Sequence, residues 1–125
     1  MAATEEDQAQ RSITGAAFWA LMARWGVPDD AALALIAGPP RATTGKRPRF
    51  RLVGPQVETF SMLRAIDQHL VDLYRDPAPF LSAPNKEKPF ARKSPIAFMA
   101  AGGEAAIAET LRYLERQAFK ASLSR

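Results

Sequence analysis

From Val57 to Leu73 the apolar residues Val57, Phe60, Leu63, Ile66, Leu70 and Leu73 recur every three or four positions, the period that aligns side chains along one stripe of an α-helix. Pro55 stands just ahead of the run, where its fixed φ and missing N–H suit a first helical turn, and Asp76-Pro77 closes the far end. The spacing predicts a helix of about five turns at 3.6 residues per turn. Everything else in a chain of 125 residues has to pack around it. That length allows one ordinary domain, and is too short for two independent cores of usual size.

Proline and glycine divide the remainder into shorter pieces. Phe18, Leu21, Met22 and Trp25 share one stripe of a helix predicted over 12–25, which Gly26 ends. Pro28, Asp29 and Asp30 place a proline and two carboxylates at the start of a second helix, and Gly38-Pro39-Pro40 stops it. The stretch from Arg41 to Gly54 offers at most a short helix near 42–46 and an extended segment through Phe50, Leu52 and Val53. After a short turn at 79–83 and a loop from Pro84 to Lys93, Ser94-Pro95 supplies a cap and a first-turn proline for a helix to Ala101. Gly102-Gly103 breaks that helix. A last one is expected from Glu104 to about Lys120, with Ile107, Leu111, Leu114 and Ala118 on one face. No repeat and no long alternation of apolar and polar residues occurs, so the fold class is all-α.

Composition excludes several chemistries. The chain is 47% hydrophobic, ample for a packed core and far from the composition of disordered chains. It has no cysteine, which removes disulfides, thiolate nucleophiles and cysteine-based metal sites, and its single histidine, His69, removes a histidine-rich metal site. No cofactor or metal is expected. No apolar run approaches the ~18 residues of a membrane span, and the acidic start, Glu5-Glu6-Asp7, is unlike a secretory signal. A cytoplasmic location follows as an expectation.

The net charge of +4 is unevenly placed. Arg41, Lys46, Arg47, Arg49 and Arg51 stand together with no acid among them, and Lys86, Lys88, Arg92 and Lys93 surround the lone Glu87. A short helix, a tight turn at Gly38 and the basic stretch 41–47 follow the order of a helix-turn-helix. In that order Arg41, Thr43, Thr44, Lys46 and Arg47 are the candidates for contacts to DNA, since hydroxyls and guanidinium forks bond phosphates and base edges. A solvated basic loop is the plainer alternative for the same residues. His69 with Asp67 and Asp72 nearby reads as a surface ion pair, because no nucleophile is placed to join it as a catalytic group. Phe18, Trp19 and Trp25 read as core packing in preference to a stacking platform for bases. Gly102-Gly103 lacks the longer pattern and lysine of a phosphate loop, and reads as a plain break.

Pro84-Asn85, Phe90, Arg92-Lys93-Ser94-Pro95-Ile96, Met99, Gly102-Gly103 and Leu111 to Leu114 together resemble the C-terminal toxin-binding domain of the Xre/MbcA/ParS antitoxin family. Members show an asparagine loop ending in a basic-Ser-Pro sequence, a short helix carrying Leu, Ile or Met, a glycine, and a final helix near the C-terminus. The preceding half, with Arg24 to Gly38 in the place of the brace helix, resembles the family's Xre-like helix-turn-helix. The family's serine-rich recognition helix is here replaced by Pro39-Pro40-Arg41-Ala42-Thr43-Thr44-Gly45-Lys46.

The resemblance implies two regions, a helix-turn-helix over 12–75 and a toxin-binding region over 76–125. It implies an antitoxin that is not an enzyme, forms a homodimer, and neutralises a cognate toxin of the RES type, an ADP-ribosyltransferase or NAD-consuming protein, by covering its NAD cleft. Repression of its own operon through operator DNA is a further implication. The implied toxin contacts are Asn85, Phe90, Arg92, Lys93 and Ser94 in the loop and Arg112, Arg116, Lys120 and Arg125 toward the end, cations suited to a cleft that holds a pyrophosphate. The segment 118–125 is poorly periodic and is expected to be a free tail that inserts into the toxin. A helix-turn-helix regulator without a toxin partner is the competing function.

Overall fold

Helices account for most of residues 13–37 and 51–124, the part of the chain that the computed structural model describes, and the fold class is all-α as expected. In chain order the elements are β1 (Ile13–Thr14), α1 (Gly15–Trp25), α2 (Asp29–Leu35), β2 (Arg51–Leu52), α3 (Pro55–Tyr74), α4 (Pro77–Ser82) and α5 (Pro95–Leu123). The long central helix is α3, 20 residues with Pro55 in its first turn. Phe60, Leu63, Ile66 and Leu70 of its apolar stripe are buried, and Val57 and Leu73 pack half-buried at the edge. The helix packs most extensively against α5, and also against α4 and β2.

A single apolar cluster runs through the described residues. It joins Phe18, Met22 and Trp25 of α1, Leu35 of α2, the α3 stripe, and Met99, Ile107 and Leu114 of α5. α2 also packs on α5, so the regions 12–75 and 76–125 share one core. The face of α3 carrying Leu63, Ile66 and Leu70 is fully covered within one copy, so it is not free to form a dimer contact.

The first helix begins later than its period suggests. Ile13–Thr14 is a strand, paired antiparallel with β2 in the register Ile13 to Leu52 and Thr14 to Arg51. A partner so distant in sequence leaves no trace in local periodicity. At the other end of α1, Asp67 of α3 accepts hydrogen bonds from Arg24 Nη2 at 2.5 Å and from the indole Nε1 of buried Trp25 at 2.9 Å. That carboxylate satisfies a buried donor and ties α1 to α3. Among the described residues His69 forms no ion pair: Asp67 is paired with Arg24, and Asp72 accepts from Gln68.

In α5 the break expected at Gly102-Gly103 is present. Gly103 adopts φ 67°, ψ −147°, a conformation open almost only to glycine, and two helical runs meet there at a kink. At the start, the Ser94 side chain caps the helix by accepting from the Ala97 N–H at 3.2 Å, with Pro95 in the first turn. The far end departs from expectation, because the helix continues through 118–123 to Leu123 and leaves no free tail there. Ala118, Lys120 and Ala121 favour helix. The hydroxyls of Ser122 and Ser124 bond back to the carbonyls of Phe119 and Lys120, at 2.6 and 3.2 Å.

Candidate partner-binding site

The loop 84–93 is a closed structure built from its own backbone. The Asn85 N–H donates to the Lys93 carbonyl at 3.1 Å and the Arg92 N–H to the Asn85 carbonyl at 2.7 Å, pinning the two ends together. Inside, the Asn85 side chain accepts from the Glu87 N–H at 2.9 Å, the local turn for which asparagine is suited. The N–H groups of Phe90 and Ala91 both donate to the Glu87 carbonyl. Ala91 and Arg92 sit at positive φ and the Lys88-Pro89 bond is cis.

Phe90 plugs the loop into the core. Its ring is fully buried and meets Phe80 of α4, and Phe98 and Tyr113 of α5, edge-on at 6.2, 5.5 and 5.1 Å. These are the favourable edge-to-face geometries of aromatic pairs. The Tyr113 hydroxyl donates to the Glu87 carboxylate, a second tie from loop to helix. Burial, then that hydrogen bond, pushes the Tyr113 phenol up to about 12, while Asn85 acts in the opposite direction. Tyr74, stacked on Phe80, is also raised, first by burial and then by the Glu87 charge.

The residues implied as toxin contacts therefore divide. Phe90 is an internal anchor, Asn85 shapes the loop, and Ser94 is a helix cap, so these three set the form of the surface. Arg92 and Lys93 are exposed on the loop, and Arg112, Arg116 and Lys120 are exposed along α5, one turn apart in a row. Loop and helix meet at an open cleft of about 270 Å³ lined by Glu87, Lys88, Tyr113, Arg116, Gln117 and Lys120. Three cations thus border it against one carboxylate. Arg125 lies outside the described residues, as do Arg41, Thr43, Thr44, Lys46 and Arg47 of the expected DNA-reading segment.

Two larger clefts lie elsewhere. A groove of about 580 Å³ runs between α1 and α3 beside Arg24, Arg64 and Asp67, and another of about 360 Å³ lies where the end of α2 and the start of α3 approach Gly103 and Glu104. The described residues contain no grouping of three or more metal-binding side chains, and none of their helices is long and apolar enough to cross a membrane. Glu87, Lys88, Tyr113 and Gln117 were missed by sequence reasoning as members of the cleft. For Tyr113 and Gln117 the only signal was their i, i+3 spacing to Arg116 and Lys120 on α5. Comparison with protein families, curated proteins and solved structures finds no match to the chain.

Proposed function

We propose that this protein is an antitoxin of the Xre/MbcA/ParS type that neutralises a RES-type toxin through residues 76–125, with no reaction of its own. The observation that supports the reading most directly is the pairing of the self-closed Asn85 loop with an exposed cationic row on α5. A loop held by its own hydrogen bonds and an aromatic plug presents its side chains from a backbone with little entropy left to lose on binding. Arg112, Arg116 and Lys120 form no ion pair with any other described side chain, and are available to an anionic surface such as a cleft for the NAD pyrophosphate. In this reading the protein dimerises through a surface other than the α3 stripe, and operator DNA is contacted by the basic segment 41–51.

The test is purification of the tagged protein from its native host through a high-salt wash, with mass spectrometry of what co-elutes. High salt strips counterion-driven nucleic-acid binding and spares a well-packed protein interface. Stoichiometric recovery of a RES-domain protein, whose toxicity the chain suppresses on co-expression, is the expected result. Recovery of DNA alone, and only at low salt, replaces the antitoxin with a helix-turn-helix regulator.

A further inference from the structure

Beyond the cleft, the last two turns of α5 carry the largest exposed apolar side chains of the described residues. Phe119 is 65% and Leu123 is 69% exposed, and at i, i+4 they stand one above the other on the helix. No aromatic ring among the described residues contacts Phe119. The buried side of this run is made by Ala106, Ile107, Thr110, Tyr113 and Leu114, so at 100° per residue the pair points away from the core. Arg116 and Lys120 border the pair on one flank and Glu115 on the other, and beyond Arg116 and Lys120 opens the cleft with Lys88. Because 118–123 is helical, these side chains are held at fixed spacing on a rigid rod.

We propose that Phe119 and Leu123 are the apolar anchors of this protein's partner interface, and that they seat in a hydrophobic pocket of a partner protein whose rim carries carboxylates facing Lys88, Arg116 and Lys120. This rests on the reading that residues 76–125 bind a partner protein, and it specifies the chemistry of that partner. Charge selects the occupant. A second copy docked on the same face brings Lys88, Arg116 and Lys120 against the same three cations, with only Glu87 and Glu115 beside them to offset the repulsion. A phosphate backbone gains nothing from Phe119 and Leu123, whose apolar side chains offer it no hydrogen-bond donor. A lipid surface needs a long apolar stripe, whereas here two side chains stand among charges. A compact apolar pair ringed by charge matches the centre-and-rim pattern of protein interfaces.

The experiment compares wild type, F119A/L123A and K88E/K120E for binding to the co-encoded RES-domain protein by surface plasmon resonance at two salt concentrations. Each variant is first checked for an unchanged melting temperature, as expected for exposed positions. F119A/L123A is expected to weaken binding by about thirtyfold or more, mainly through faster dissociation. K88E/K120E is expected to slow association, most at low salt. If wild type binds and F119A/L123A binds within about threefold of it, the anchors are refuted and the antitoxin reading stands. If wild type itself does not bind, that reading falls and this inference with it. Unchanged toxin binding by F119A/L123A, accompanied by loss of self-association in sedimentation or of binding to anionic vesicles, also overturns the proposal and reassigns the pair to a dimer contact or a lipid surface.

Discussion

Gly102 and Gly103 are adjacent, yet alanine should fail at each for a different reason. In an unbroken helix the Cβ atoms of residues i and i+4 lie about 5–6 Å apart. The kink brings the two runs of α5 together, so that a Cβ on Gly102 would lie only 2.5 Å from the Ala106 Cβ. Relieving that overlap requires a shift of roughly an ångström and costs about 1–3 kcal/mol, offset by the gain of about 1 kcal/mol from replacing a helical glycine. At Gly103 a Cβ would meet nothing within 4 Å, but φ 67°, ψ −147° strains any L side chain by about 1–3 kcal/mol. Urea unfolding followed by circular dichroism separates the two causes through double-mutant cycles with A106G. The cycle G102A/A106G should show a favourable coupling of about 1–3 kcal/mol because the second change removes the obstructing methyl, while G103A/A106G should be additive within about 0.5 kcal/mol. If G102A shows no coupling to A106G, the contact across the kink is not the obstacle. If G103A stabilises the protein as an ordinary helical glycine replacement does, by about 0.4–1 kcal/mol, the break is not at that residue.

Other outcomes follow from the same packing. The Tyr113 phenol lies above its ordinary value of 10 in the fold, at about 12, so the folded state holds the proton more tightly than the unfolded chain. The stability this contributes is complete below pH 10 and is lost as the pH rises through 12. Spectrophotometric titration should find both of the chain's tyrosines ionising above the usual range, and E87Q should bring Tyr113 down toward it. Replacing Asp67 with alanine leaves the buried Trp25 N–H without its acceptor and should cost about 1–3 kcal/mol in urea unfolding, whereas R24A, which removes only the exposed half of the pair, should cost under about 1 kcal/mol. L70A, at a fully buried position on the α3 stripe, should cost about 2–5 kcal/mol.

Local chemistry wrote much of this fold into the sequence. The α3 period, Pro55, the Ser94-Pro95 cap and the Gly102-Gly103 break each act within one or two turns, so their residues declare them. The basic composition of the loop 84–93 and the i, i+4 row of cations on α5 were legible for the same reason. Tertiary structure alone decided matters that depend on contacts distant in sequence. Ile13–Thr14 is a strand because β2 lies beside it, and the α3 stripe is interior because α5 covers it. Phe90 anchors the loop because three rings from α4 and α5 surround it. Periodicity reports which residues share a face, and cannot report what that face meets. For the same reason Phe119 and Leu123, ordinary apolar positions in the sequence, emerge as an exposed pair only once the core is seen to close without them.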